Sequence, residues 1–239
     1  RGLPHVDQGD ADLRQQLAVP FHVRRDQIAP SRGVRGDSHG ATPGSGARVA
    51  DAAKAKGIKY LRAPVSGSTV LATAGTLTIF ASGPKDAYDQ CVDIFGSMGV
   101  KEKVFHVGTG EEARYLKLVM NMMVGLTSAM VGEALTFGEA GGMNWEQMID
   151  IVNASVAASP LIQYKAALLK SRNYAAAFAV SQMAKDFDIM LDTGKAKNVP
   201  LPVTALVRQY WGAMMAKGKG EQDFFSLVSL NEELAGMKK

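Results

Sequence analysis

The chain has 239 residues, 46% of them hydrophobic and 21% charged, with a formal net charge of +4. That is room for one large domain or two small ones with a substantial core, and the scattered positive excess, without Lys/Arg runs interleaved with aromatics, argues against a nucleic-acid surface. The single Cys91 excludes an intrachain disulfide framework and fits a reducing compartment; with no readable signal peptide, a cytoplasmic location is expected.

Residues 1–46 hold six arginines and no lysine, whereas the remainder holds sixteen lysines and five arginines. His5, His22 and His39 fall in this leader, and every methionine falls after it. Its SRGVRGDSHGATPGSG stretch has no helical or strand periodicity. It reads either as a disordered basic tail or as residues foreign to the domain, left by a truncation or a shifted reading frame. The abrupt change in composition favours the second.

From Ala47 the sequence becomes regular. ARVADAAKAKG predicts a short helix stopped by Gly57. IKYLRA (58–63) predicts a strand and PVSGS a loop. GTLTIFASG (75–83) is β-rich. PKDAYDQCVDIFGSMG predicts a helix with Pro84 at its first position and Gly99 as its stop, and EKVFHV (102–107) predicts another strand. The alternation is α/β and looks like the closing part of a larger sheet domain.

After Gly108 the pattern is helical throughout. Thr109 with Glu112 predicts a capping box for a long helix to about Gly141. Asn144 with Gln147 and Ser159-Pro160 cap the next two. Helices over 182–197, 202–217 and 223–235 complete the chain. The fold class is therefore α/β followed by all-α, a sheet fragment joined by a long helix to an all-helical domain. The low-charge run Leu118–Gly132 is shorter than the ~20 apolar residues a membrane span needs, so no membrane is expected.

Chemistry concentrates on that long helix. Lys117 and Asn121 lie one turn apart on a segment too apolar to want a charge, where burial costs heavily unless the ammonium has chemistry or a partner. Burial also lowers a lysine pKa toward neutrality, which suits proton transfer. Lys117, Asn121, Gly125, Ser128 and Gly132 form one stripe. Its plain reading is a snorkelling lysine followed by small residues that let helices approach. The loop Ala63-Pro64-Val65-Ser66-Gly67-Ser68 comes straight after a strand, and its serine beside a glycine offers hydroxyl and backbone N–H groups to an anion. GTGEEA (108–113) matches the dinucleotide fingerprint G-x-G-x-x-A, yet two carboxylates in its first turn would repel a pyrophosphate. It is rejected as a cofactor site, as is Gly44-Ser45-Gly46, which no strand precedes. No Cys/His cluster has metal-ligand spacing, so no metal is expected.

APVSGS (63–68), GTLTIFASG (75–83), KLVMN (117–121) and AKDFDIML (184–191) together resemble the β-hydroxyacid dehydrogenase family, over about residues 46–237. The resemblance implies an N-terminal Rossmann-type domain and an all-α domain connected by a long helix. Residues 1–46 are then an atypical leader, 47–107 a remnant of the Rossmann-type domain, and 108–239 the all-α domain. It further implies Lys117 as general acid/base, Asn121 as a hydrogen-bond partner of the substrate, and Ser66 and Gly67 as holders of its carboxylate. Lys185 would reach the cofactor, Asp186 would orient or cap locally, and Phe178 would wall the pocket. The implied cofactor is NAD or NADP, and the substrate a small 3-hydroxy acid or semialdehyde. The implied assembly is a homodimer or homotetramer.

In the related phosphogluconate dehydrogenases a histidine precedes the asparagine and an acidic residue follows the lysine by seven. Met120 and Val124 stand in those places here, which points to the small-acid branch. Three residues depart from the family pattern: Arg62 for an aspartate, Ser68 for a glycine, and Glu111 where a glycine is common. The N-terminal G-x-G-x-x-G half is missing, so weak or absent cofactor binding is expected of this chain alone. The alternative is an inactive truncated member serving as an oligomerisation or interaction module. A third possibility, nucleic-acid binding, would rest on the Arg-rich leader.

Overall fold

The computed structural model describes residues 43–237; the expectations for residues 1–42, including their three histidines, lie outside these. The chain divides inside one long helix into two units, residues up to Lys117 and residues from Leu118 onward.

The first unit opens with helix α1 (Pro43–Lys54), which starts before Ala47 because proline is tolerated in a first turn. Gly57, at φ +67°, ends the turn that follows. Strand β1 (Val65–Ser66), helix α2 (Thr69–Thr73), strand β2 (Leu77–Ser82), helix α3 (Lys85–Met98) and strand β3 (Gly99–Gly108) come next. The sheet order is β1-β2-β3, with β1 antiparallel to β2 and β2 parallel to β3. Helix α3 is the crossover that a parallel pair requires. Leu77, Ile79, Ala81 and Phe95 form the core, with Leu61, Val65, Tyr88 and Val104 packed around them.

The strand expected at 58–63 does not form. Arg62 makes only an isolated antiparallel bridge to Ser82, with N–H···O distances of 2.9 and 2.8 Å. Pro64 contributes its carbonyl alone, to the Phe80 amide at 3.1 Å, and regular pairing begins at Val65 opposite Ile79. A proline has no N–H to give a ladder, so it cuts the pairing into a bridge and a two-residue strand. Pro84 caps α3 rather than occupying its first position, and Gly99 is the C-cap. A side chain at Gly99 would begin 2.2 Å from the Leu77 carbonyl oxygen, so the start of β3 needs a glycine.

Helix α4 (Glu112–Ala140) runs through the division between units. The second unit continues with α5 (Trp145–Ala154), α6 (Pro160–Ser171), α7 (Val180–Ala196), α8 (Pro202–Ala216), a 3-10 turn (Phe224–Ser226) and α9 (Leu227–Leu234). The expected caps are present: Asn144 Oδ1 accepts from the Gln147 amide at 3.0 Å, and Ser159 Oγ from Ile162 at 3.2 Å. Phe187, Trp211, Met183, Met190, Leu169 and Leu227 lie at the centre of the helical core. The glycines of the α4 stripe are packing notches. A Cβ at Gly125 would stand 2.4 Å from the Phe187 ring, and one at Gly132 would stand 2.7 Å from Asn231 Nδ2.

At 29 residues, α4 is longer than the apolar run that suggested it. Among the described residues it is the one helix long and apolar enough to cross a membrane, with a mean hydropathy of 1.4. Leu118, Val124, Leu126, Val131 and Leu135 pack into the helical core.

Candidate functional site

In the first unit, β1 and the first turns of α4 meet through Lys117. Its Nζ donates to the Val65 carbonyl oxygen at 2.7 Å, next to Ser66. The lysine is half-buried, as is Ser66. Gly67 follows at φ +141°, a conformation that side chains rarely adopt. A Cβ there would also fall 2.7 Å from Leu77 and 3.2 Å from Leu71. The loop that the sequence singles out is thus fixed by local geometry and touches the lysine that the sequence singles out.

Two of the three departures from the family pattern explain each other. Arg62, only 7% exposed, donates through Nε to Glu111 Oε1 at 2.6 Å, 49 residues away in sequence. Its guanidinium also lies over the Tyr60 ring at 5.2 Å. Arg114, on α4, stands 3.5 Å from the same carboxylate and donates to the Tyr60 hydroxyl at 3.0 Å. An arginine buried in an aspartate's place needs an anion, and Glu111 supplies it.

The rejected fingerprint is filled from within. The Gly110 amide donates to Glu112 Oε2 at 2.6 Å, so a carboxylate of the chain itself sits where a phosphate would. Gly108, at φ +151°, gives it room: a Cβ there would lie 2.3 Å from the Glu112 carboxyl carbon. The capping box expected from Thr109 and Glu112 takes another form. Glu112 closes on Gly110, and Ser82 Oγ, reaching from β2, accepts from the Ala113 amide at 3.3 Å while donating to the Gly110 carbonyl at 2.8 Å.

In the second unit, Asn121 and Lys185 converge on one carboxylate. Asn121 Nδ2 donates to Asp186 Oδ2 at 2.7 Å, and Lys185 Nζ lies 3.4 Å from Asp186 Oδ1. Asp186 is buried on α7, whereas the Lys185 side chain is 43% exposed. Phe178 packs edge-on against Phe224, centroids 6.1 Å apart. Lys117, Ser66 and Gly67 thus belong to the first unit, and Asn121, Lys185 and Asp186 to the second.

Sequence reasoning missed two charged clusters. Lys165 and Asp223, both buried, form an ion pair at 2.7 Å. Arg172 donates to Glu232 at 2.6 Å and to Glu139 at 3.2 Å, and its guanidinium lies 4.0 Å from the Trp145 ring centroid. Nothing in the local pattern marked them, since their partners lie 58, 60 and 33 residues apart. His106 bonds the Gly83 carbonyl at 3.0 Å. No group of metal-ligating side chains occurs among the described residues.

Residues 110–231 match the family described as the NAD-binding of NADP-dependent 3-hydroxyisobutyrate dehydrogenase, and residues 37–108 match the NAD-binding domain of 6-phosphogluconate dehydrogenase. The chain is 32% identical over 202 residues to 2-(hydroxymethyl)glutarate dehydrogenase of Eubacterium barkeri, covering 84% of this chain and 66% of that protein. It is 25% identical over 181 residues to glyoxylate/succinic semialdehyde reductase 1 of Arabidopsis thaliana, covering 76% and 62%. Its fold is similar to that of 3-hydroxyisobutyrate dehydrogenase from Salmonella typhimurium, with a TM-score of 0.73 at 23% identity over 79% of this chain and 66% of that one. The chain therefore spans about two thirds of the length of each of these relatives.

Proposed function

The chain belongs to the β-hydroxyacid dehydrogenase family, and on that premise we propose that it carries the substrate and proton-transfer residues of an NAD(P)-dependent oxidoreductase. Its substrate is a small 3-hydroxy acid or the matching semialdehyde, and Lys117 is the general acid/base. The observation that carries this reading is the Lys117 Nζ held at 2.7 Å from the Val65 carbonyl, directly beside Ser66 and Gly67.

NAD or NADP is the cofactor of the family; when bound it accepts or supplies hydride at its nicotinamide ring. Among the described residues, Lys185 suits that group, because its ammonium is half-exposed on a helix and steadied by Asp186. The Gly108–Ala113 turn does not suit it, because Glu112 already takes the Gly110 amide.

In oxidation, Lys117 accepts the proton of the substrate hydroxyl; in reduction it returns that proton to the carbonyl oxygen. The Val65 carbonyl keeps the nitrogen in place through both steps. Ser66 and Gly67 hold the substrate carboxylate. Asn121, whose Nδ2 is committed to Asp186, has an amide oxygen that suits it to accept a hydrogen bond from a substrate. Asp186 is the positioning residue for Asn121 and Lys185 alike.

Residues 47–107 then belong to a Rossmann-type domain and 108–239 to the all-α substrate domain. The protein works in the cytoplasm as a homodimer or homotetramer. Val119, Met123, Met130 and Phe137, exposed along α4 at steps of four and seven, support self-association.

The test is Lys117→Ala in an intact parent protein with a complete nucleotide-binding domain, assayed with NAD and with NADP. Turnover should fall by about 10²–10⁴-fold, while the melting temperature stays close to that of the parent. Near-normal turnover would remove Lys117 from the role.

A further inference from the structure

The third departure from the family pattern, Ser68, has no counterpart like the one that Glu111 provides for Arg62. Its Oγ is enclosed, and no hydrogen-bond partner reaches it. A buried hydroxyl without a partner keeps the cost of its lost hydration, and such groups are rare enough in native proteins to need a reason. Ser68 stands at the N-cap of α2 (Thr69–Thr73), a position that favours serine, yet its Oγ caps no amide. The Ser68 carbonyl already accepts from the Ala72 amide at 3.0 Å, and Gly67 is held at φ +141° against Leu77 and Leu71. The loop is therefore rigid up to the residue that bears the orphan hydroxyl. That residue lies three positions beyond the carbonyl that holds Lys117.

A serine hydroxyl moves between three staggered χ1 positions at small cost. It donates one hydrogen bond and, to an ionised acceptor, a strong one. The neighbour that would accept it is an anion seated on Ser66 and Gly67, with the Lys117 ammonium nearby. We propose that Ser68 Oγ is an additional donor to the substrate carboxylate and a specificity-determining residue, by which this chain favours a carboxylate over a neutral amide at that position. The proposal rests on the reading of Ser66 and Gly67 as the carboxylate-binding loop. It adds a side-chain contact that a glycine at 68 could not make.

The experiment compares the parent chain with Ser68→Ala and Ser66→Ala, using 3-hydroxypropionate and 3-hydroxypropanamide as probes. Binding is read by calorimetric titration and folding by thermal melting. In the parent, 3-hydroxypropionate should bind more tightly than the amide. Ser68→Ala should weaken the acid by about five- to thirty-fold, leave the amide unchanged, and keep or raise the melting temperature, because an unpaired hydroxyl is lost from the free protein. A lower melting temperature with unchanged acid binding would make the hydroxyl structural and overturn the proposal. Loss of acid binding in Ser66→Ala but not in Ser68→Ala would overturn it while leaving the loop assignment intact. If the parent binds neither probe, the loop assignment fails and takes the proposal with it.

Discussion

Two lysines taken out of bulk water show how differently one side chain is used in the two units. Lys165, 2% exposed on α6, donates to Asp223 Oδ2 at 2.7 Å. The same carboxylate accepts from the amides of Ala177 and Phe225 at 3.1 Å each, and the rings of Tyr164, Phe224 and Phe225 enclose the ammonium within 5.6 Å. Lys117, half-buried on α4, donates to a backbone carbonyl. A carboxylate cancels the charge it holds; a carbonyl dipole fixes where the nitrogen sits. Burial alone does not separate a structural lysine from a chemical one.

The contrast breaks most decisively at Lys165. Replacing it with methionine strands the Asp223 carboxylate in a dry, aromatic pocket and should cost about 3–5 kcal/mol, read as a lowered urea midpoint. Lys117→Ala should cost less than about 1 kcal/mol of stability and lose turnover instead. Equal destabilisation by the two would erase the distinction.

A smaller effect is expected where a buried arginine has its own anion. A double-mutant cycle over Arg62→Ala and Glu111→Ala should give a coupling of about 1–3 kcal/mol, each single variant being worse than the pair removed together would suggest. Additive losses would mean that the two departures arose independently.

The smallest effect lies at Tyr174, whose hydroxyl is buried without a partner. Burial foremost, with Glu232 adding to it, pushes this phenol from its ordinary 10.0 up to about 12. The folded state therefore keeps the proton longer than the unfolded one. The associated stability is complete below pH 10 and is lost as pH rises toward about 12. Tyr174→Phe should be near neutral at pH 7 and should flatten this alkaline loss. Parallel pH profiles for the two proteins would remove Tyr174 as its source.

What could be read from the sequence was what neighbours decide. Asn144 with Gln147 and Ser159 with Ile162 lie three residues apart, so their caps were legible and the helices they start fell into place. The strand at 58–63 was misplaced because its pairing is made with β2, and Pro64 deletes a donor that apolar patterning does not count. The short α2 went unseen although Ser68 stands at its N-cap, because five residues are too few to show an apolar period. At the site, the spacing of Lys117 and Asn121 raised the right question, and the family resemblance supplied roles. Their partners, Val65 at 52 residues and Asp186 at 65, needed the fold. The Arg62–Glu111 pair shows the limit most plainly, since two oddities counted as separate departures are one interaction.

Because the ammonium of Lys117 leans on the carbonyl of Val65, the proton on that lysine can be read from the backbone. A carbonyl that accepts from a cation stretches at a lower frequency than one facing a neutral amine. An isotope label on that single carbonyl would turn the end of β1 into a meter for the charge on the nitrogen. It would report each gain or loss of the proton with no substrate turned over.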